Sequence, residues 1–273
     1  MLAKLSKTFT GSASRRNVSE AWHPHLGEIG GKSLAEILPF FPETAPRFTI
    51  ALMTSERTGS EWLCEIMGNT GVLDRPSEYL NTHWMRRFVA DYPDDAMAQV
   101  ALAKRFGLTA NGCVSIKLHP WHYDRLPEDA EFSSLFPDPC FVLLSREDHL
   151  GQAISLVRAR QTEKFHSVTR QTRQPVYDTG QISAALDEVV ISQARWNKFF
   201  SRNGIRPLKL SYESFTADPG AALRQIAKFT GVPMPSRFGR VKSRLGVQRD
   251  GTSQEWRERF LNEKRSLRYL DKI

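Results

Sequence analysis

The sequence predicts an α/β fold in which a central parallel sheet lies between two layers of helices. Four short runs of apolar and β-branched residues, 48–53, 114–118, 140–144 and 207–211, have the composition of buried strands. Segments with helical periodicity separate these runs, and the longest, 181–202, ends before a Gly-Ile-Arg-Pro stretch that stops a helix. Because strands that alternate with helices form parallel sheets covered on both faces, we expect a three-layer α/β/α domain.

Chain length and composition favour one domain. A chain of 273 residues with 40% hydrophobic content can bury one large core. The first 45 residues begin with a basic, Ser-rich stretch and are predicted to form a partly disordered N-terminal extension, followed by a single domain over residues 46–273. That stretch lacks the apolar segment of a secretory signal, and no apolar run is long enough to span a membrane.

The cysteines and the charge limit the function further. Cys64, Cys113 and Cys140 are an odd number in apolar surroundings, which is typical of reduced thiols in a cytoplasmic protein. The net charge is +8, but Lys and Arg are interspersed with Glu and Asp, and no nucleic-acid-binding motif is present. We therefore expect an anionic small ligand and no nucleic acid. Since no metal-ligand spacing is visible, no metal is expected.

Residues 48–63, FTIALMTSERTGSEWL, predict a strand, a short polar turn and a helix. Backbone N–H groups at a helix start lack partners within the helix and attract anions. Arg57 adds a fork of donors suited to phosphate or sulfate, and Thr58 and Ser60 add hydroxyls. The alternative is an ordinary connection whose Ser and Thr side chains only cap the helix. The turn lacks the GxxxxGK[ST] pattern, which weakens an ATPase or kinase hypothesis.

Residues 140–160, CFVLLSREDHLGQAISLVRAR, predict a second strand that runs into a helix. Arg146 directly follows this strand, and Ser155 comes nine residues later on the helix. By themselves the two residues are better explained as a surface arginine at a strand end and a serine on an indifferent helix face. A second strand-to-helix motif in this order argues against coincidence.

The two motifs resemble the donor-binding motifs of sulfotransferases that use 3′-phosphoadenosine 5′-phosphosulfate (PAPS). The resemblance implies a P-loop-like fold in which the first turn holds the phosphosulfate, while Arg146 and Ser155 hold the 3′-phosphate. The residues that match the phosphosulfate turn are Arg57, Thr58, Gly59 and Ser60. Trp62 stands where many cytosolic sulfotransferases stack a tryptophan on the adenine. Glu61 departs from the pattern, which usually has Thr or Ser there, and since a phosphosulfate would repel its carboxylate we expect it to turn away.

Residues 70–80, TGVLDRPSEYL, resemble the bacterial trehalose sulfotransferase-like family, in which a glutamate of such a stretch is the proposed general base. The resemblance extends to RARQT at 158–162 and SQEWRERF at 253–260. It implies that Glu78 is the base. It also implies a sugar such as trehalose as the acceptor. Because family members can be dimers, the resemblance is also compatible with a homodimer.

His119 is the competing base. The stretch IKLHP places Lys117 and His119 in the Lys-x-His form found in cytosolic sulfotransferases. A neutral histidine, with an intrinsic pKa of about 6.5, suits neutral pH better than a glutamate of about 4.3, although an apolar pocket would raise the pKa of Glu78. Family spacing ranks Glu78 first. Lys117 and Arg57 would meet the charge that develops on the leaving phosphate. The alternatives are a helix-capping Glu78, a structural His119 and a Lys117 that snorkels at a strand end.

Two later segments are predicted to be loops. The polar segment 164–179 is expected to cover the acceptor side. In sulfotransferases a late basic, Gly-containing loop closes over the 3′-phosphate and adenine, and the resemblance places this role on residues 237–253. Arg249 is the best placed donor ligand there, and Arg244 is the alternative.

The sequence therefore predicts a PAPS-dependent sulfotransferase. It would transfer a sulfuryl group in line to a hydroxyl of a carbohydrate, a glycolipid or another small molecule. A nucleotide-dependent phosphotransferase and a PAPS-binding protein without catalytic activity are the alternatives.

Overall fold

The computed structural model describes residues 31–163, 174–234 and 251–264. Within these ranges the strands are Phe48–Thr54 (β1), Cys113–Leu118 (β2), Pro139–Ser145 (β3) and Leu208–Ser211 (β4). They form one parallel sheet in the order β2-β1-β3-β4. The predicted α/β fold with a parallel sheet is confirmed, and each strand lies within two residues of its predicted bounds.

The helices of the described residues connect and cover these strands. In chain order they are Leu34–Ile37 (α1), Ser60–Gly68 (α2), Thr82–Met85 (α3), Ala96–Phe106 (α4), Pro120–Tyr123 (α5), Phe132–Leu135 (α6), His149–Thr162 (α7), Thr179–Arg202 (α8), Tyr212–Ala217 (α9), Pro219–Thr230 (α10) and Gly251–Lys264 (α11), with a 3₁₀ turn at Leu38–Phe40. Among the described residues, no helix has the length and apolar character needed to cross a membrane.

The central strand β1 shows why the helices form two layers. Ile50 and Leu52 are completely buried and belong to a core shared with α2 and α10. Ala51 and Met53 are also completely buried, but they point to the opposite face and pack with residues of α4 and α8. Successive side chains of a strand face opposite sides of a sheet. A strand whose apolar side chains are buried on both sides therefore requires helices on both faces.

Part of the predicted N-terminal extension is packed against this core. Ile37 of α1 is completely buried, and the ring of Phe41 lies 4.8 Å from the ring of Phe106 on α4. Lys32 forms an isolated parallel bridge with Val89. Residues 1–30 lie outside the described residues.

A short segment before α3 is attached to the open edge of β2. The backbone N–H of Lys117 donates to the carbonyl of Ser77 at 2.9 Å. The backbone N–H of Ser115 donates to Oδ2 of Asp74 at 2.7 Å, and Oδ1 of Asp74 accepts the N–H of Arg75. Asp74 is buried, and this burial raises its pKa well above the usual range. Asp74 and Ser77 thus fix the segment that carries Glu78 beside the strand that carries Lys117.

We expect Asp74→Ala to lower the free energy of unfolding by about 1–3 kcal/mol, because it leaves two backbone N–H groups without their acceptor. Urea denaturation measures this difference. Asp94→Ala is the control, since the Asp94 side chain is 73% exposed and pairs only at the surface with Arg86. Equal losses in the two variants would contradict the role assigned to Asp74.

Candidate active site

The loop between β1 and α2 has the backbone geometry of an anion-binding turn. Arg57 and Gly59 both have left-handed conformations, with φ of 62° and 79°. Left-handed residues next to right-handed ones turn successive N–H groups toward one concave side, where anions bind. Arg57 has a Cβ and therefore pays a conformational cost of about 1–3 kcal/mol, a cost that is found mostly at functional sites.

Buried side chains hold this loop in place. The hydroxyl of Thr58 lies 2.5 Å from that of Thr54 and also donates to the carbonyl of Ser55. Nε2 of Gln152 donates to the hydroxyl of Ser55 at 2.9 Å and to the carbonyl of Glu56 at 2.6 Å. Nε1 of Trp196 donates to the carbonyl of Thr54 at 2.8 Å. Thr58 thus anchors the loop to the end of β1, together with two residues that the sequence did not single out.

The two predicted anion motifs meet at the carboxyl ends of β1 and β3. Nε of Arg57 donates to Oγ of Ser155 on α7 at 2.9 Å. Arg146, which directly follows β3, donates to the carbonyl of Arg57 at 3.4 Å and to Asp148 at 3.5 Å. Its guanidinium lies 5.0 Å from the centre of the Tyr212 ring. Residues that are 98 positions apart in the chain are therefore direct partners.

This cluster has an excess of positive charge. Burial and the nearby guanidinium groups of Arg146 and Arg158 lower the pKa of Arg57, although Glu56 opposes this. Arginine stays protonated in proteins, so the repulsion among these cations persists. Nε of Arg146 is buried and has no hydrogen-bond partner among the described residues. Such a cluster is favourable for an anion with several charges.

Aromatic side chains close one side of the loop. Trp62 on α2 packs against Phe215 with ring centres 5.2 Å apart. A Cβ added to Gly59 would lie 2.5 Å from the ring of Tyr212. Only glycine fits this position, both for its left-handed φ and for the closeness of Tyr212. Ser60, the first residue of α2, is buried beside it.

Lys117 on β2 is the centre of a second cluster, at the carboxyl end of the neighbouring strand. Its side chain is only 2% exposed, and its Nζ lies 2.9 Å from Oε1 of Glu78. The same Nζ donates to Oε1 of Glu61. Burial alone would lower the pKa of Lys117, but the two carboxylates outweigh it and raise the pKa. Lys117 is therefore a firmly protonated cation between two anions.

Glu78 contacts Lys117 and both histidines of the segment after β2. Oε1 of Glu78 lies 3.4 Å from Nε2 of His119, and Oε2 lies 3.7 Å from Nε2 of His122. Oε2 also accepts the side-chain amide of Asn81 at 2.8 Å. Asn81 itself caps α3, so Glu78 supports the capping residue and is not the cap. The two candidate bases that the sequence left open are therefore direct neighbours.

The electrostatics of Glu78 differ from the expectation. Burial would raise its pKa, but the Lys117 ammonium and then His119 outweigh this effect and hold the pKa well below its usual value. The prediction of a Glu78 pKa raised toward neutrality is wrong, because it considered the apolar neighbours and not the buried cation. An ionised carboxylate of this kind is a weak proton acceptor and a strong hydrogen-bond acceptor.

The two histidines are held by each other and by Trp121. The backbone N–H of His119 donates to Nδ1 of His122 at 3.1 Å. Burial and the neighbouring His119 lower the pKa of His122 well below its usual value, so His122 is neutral. The Trp121 ring lies parallel to the His119 ring, with centres 6.0 Å apart, and is 43% exposed. His119 is thus fixed in place beside an accessible aromatic surface.

Glu61 is directed toward β2, and the expectation that it turns away from a bound phosphosulfate stays a prediction. Its carboxylate contacts Lys117, the cation assigned to the leaving phosphate, and Oε2 lies 3.9 Å from Nη2 of Arg75. The reason is that the first turn of α2 faces the buried ammonium of β2. Arg249 and its alternative Arg244 lie outside the described residues.

Comparisons with known proteins identify the family. Residues 111–263, more than half of the chain, match the model of the family described as Stf0 sulphotransferase. The chain is 24% identical over 260 residues to the trehalose 2-sulfotransferase of Mycobacterium tuberculosis (strain ATCC 35801 / TMC 107 / Erdman). This match covers 77% of this chain and 92% of the relative.

Two solved structures are also similar. The sulfotransferase domain from the curacin biosynthetic pathway has a TM-score of 0.43 and 18% identity, and covers 72% of this chain and 78% of its own. The sulfotransferase domain from the Synechococcus PCC 7002 olefin synthase has a TM-score of 0.41 and 16% identity, and covers 79% of this chain and 90% of its own.

The protein is therefore a sulfotransferase, an enzyme with a parallel α/β fold and a cationic site at the ends of its strands. The chain belongs to the Stf0 sulphotransferase family. The resemblance to the trehalose sulfotransferase-like family, which the sequence motifs indicated, is confirmed.

Gly59→Ala tests whether the loop requires a glycine at this position. We expect it to lower the free energy of unfolding by more than Gly204→Ala does, because both residues have positive φ but an added Cβ at Gly204 meets no atom within 4 Å. Backbone strain alone costs about 1–2 kcal/mol. Urea denaturation of both variants checks this. If the two variants lost the same stability, the close contact with Tyr212 would have no energetic weight.

Proposed function

We propose that the protein transfers the sulfuryl group of PAPS to a hydroxyl of a carbohydrate or a related small-molecule acceptor. The observation that supports this most is the hydrogen bond between Arg57 and Ser155, because it joins the two anion motifs of the sequence into one cationic site. A donor with a phosphosulfate and a separate phosphate needs two neighbouring anion-binding motifs. PAPS, when bound, supplies the sulfuryl group and the phosphate that leaves with the nucleotide.

The residues at the ends of β1 and β3 fit the two anionic ends of this donor. We assign the phosphosulfate to Arg57 and to the backbone of the Gly59–Ser60 turn, because their geometry gathers donors on one side. We assign the 3′-phosphate to Arg146 and Ser155, as the sequence suggests. The lowered pKa of Arg57 supports these assignments, since burial and then the nearby Arg146 cause it and a bound anion would offset both.

Other residues have supporting roles in donor binding. We assign Trp62 to the adenine side, and we assign Thr58 to holding the loop, since its hydroxyl bonds to Thr54 and Ser55. Arg249 remains a proposed ligand of the 3′-phosphate from the sequence.

For the chemistry we assign the general base to His119 and its orientation to Glu78. The ionised Glu78 accepts a hydrogen bond from Nε2–H of His119, which leaves the lone pair of Nδ1 to take a proton. Nδ1 is buried without a hydrogen-bond partner among the described residues, so the acceptor hydroxyl has to enter the site to reach it. His119 then removes the proton of the acceptor hydroxyl as its oxygen bonds to sulfur and the sulfur–oxygen bond to the phosphate breaks. This assignment reverses the ranking from family spacing, because the lowered pKa of Glu78 makes it a poor base. Lys117 and Arg57 stabilise the negative charge on the departing phosphate oxygen.

The acceptor proposal rests on the relative named as a trehalose 2-sulfotransferase. A sugar, a glycolipid headgroup or another hydroxyl compound would lie on the His119 side, next to the exposed Trp121 ring. The proposed reaction needs no metal ion. A homodimer, a cytoplasmic location and a single domain over residues 46–273 stay predictions.

Binding of the product nucleotide, 3′-phosphoadenosine 5′-phosphate (PAP), tests the donor site. We expect calorimetry to show that the protein binds PAP and that Arg146→Ala weakens binding about 10- to 100-fold, which corresponds to one lost charge-assisted hydrogen-bonding group. Arg202→Ala, at the exposed end of α8, should bind as the parent does. Absence of PAP binding, or tighter magnesium-dependent binding of ATP, would favour the phosphotransferase alternative.

Single and double substitutions distinguish the two bases. With PAPS and a panel of sugars that includes trehalose, His119→Ala should reduce kcat about 10²- to 10⁴-fold. Glu78→Gln, which keeps a side-chain oxygen for His119, should have a smaller effect, and the double variant should be no slower than His119→Ala because the two residues act as a unit. His83→Ala, an exposed histidine on α3, is the control. A larger loss in Glu78→Gln than in His119→Ala would assign the base to Glu78.

A further inference from the structure

The first turn of α2 places a carboxylate where a donor anion would need a cation. Glu61 is the second residue of this helix, directly after the loop that holds Arg57 and Gly59. Its Oε1 accepts a hydrogen bond from Nζ of Lys117, while the other oxygen points toward Arg75. Lys117 therefore lies between Glu61 and Glu78, and its side chain is 2% exposed.

The two carboxylates of Lys117 are not equivalent. Glu78 is also bound by Asn81 and lies against His119, so it is fixed by several partners. Glu61 is 29% exposed at its side chain, nearly twice as much as Glu78 at 16%. Glu61 is thus the more solvent-exposed of the two carboxylates that hold Lys117.

Arg75 offers Glu61 an alternative cation. Nη2 of Arg75 lies 3.9 Å from Oε2 of Glu61, at the edge of ion-pair contact. Nε of Arg75 is buried without a hydrogen-bond partner among the described residues. The Arg75 side chain is itself 28% exposed. A modest rotation of the Glu61 side chain would therefore exchange a lysine contact for a direct bond to Arg75.

We propose that Glu61 competes with the sulfate end of the donor for Lys117 and moves onto Arg75 when the donor binds. Glu61 in this way sets the affinity for the donor. The proposal rests on the proposed function, because it requires that a phosphosulfate or the 5′-phosphate of PAP approach Lys117. The ammonium of Lys117 has three donors, but a carboxylate beside an incoming anion repels it, so the pair with Glu61 must loosen.

A double-mutant cycle on PAP binding tests this exchange. Glu61→Gln should bind PAP at least about fivefold more tightly than the parent, in the usual range of coupling between sites. Arg75→Gln should weaken binding in the parent, because Glu61 loses its alternative partner. In the Glu61→Gln background Arg75→Gln should have no effect, because no charge remains to be moved.

Controls separate this result from a change in net charge or in folding. Glu65→Gln removes the same charge from the same helix one turn further on, and it should leave PAP affinity unchanged. Glu61→Ala is measured beside Glu61→Gln, and circular dichroism reports whether each variant is folded.

The outcomes distinguish this inference from the proposed function. If the parent binds PAP but neither folded Glu61 variant binds it more tightly, the inference is wrong and the donor site stands. If Arg75→Gln acts equally in both backgrounds, the exchange is likewise wrong. If neither the parent nor any variant binds PAP, the proposed function itself fails.

Discussion

The arrangement of the site depends on one buried cation. The ammonium of Lys117 is almost completely removed from water. A buried charge that loses its partner destabilises a protein by about 3–5 kcal/mol. Glu61 and Glu78 compensate the charge of Lys117. Because Glu61 belongs to α2 and Glu78 to the segment before α3, one charge connects the proposed donor side to the side of the proposed base.

The order of the strands decides what this cation can reach. β1 lies between β2 and β3, so the loop after β1 borders both Arg146 after β3 and Lys117 on β2. Ligands of open α/β sheets bind beyond the carboxyl ends of the strands, and here three such ends are adjacent. The central strand thus separates the two proposed functions, with anion binding toward β3 and proton transfer toward β2.

The sequence was sufficient for the fold and for the neighbouring residues of the proposed anion site, and physical reasons limit the rest. The mostly apolar runs of β1 and β3 indicate buried strands directly, and the pairing of Arg57 with Ser155 follows once the strands are neighbours. The support from Gln152 and Trp196 could not be inferred, because it arises from contacts between residues far apart in the chain. The pKa of Glu78 was misjudged for the same reason, since its direction is set by a lysine on another strand.

A crystal structure of the protein with PAP tests the central account most directly. We expect the 5′-phosphate within hydrogen-bonding distance of Arg57 and Lys117, and the 3′-phosphate at Arg146 and Ser155. We also expect that Glu61 has left Lys117 for Arg75. A nucleotide bound elsewhere, or a 5′-phosphate that does not reach Arg57 or Lys117, would contradict the account.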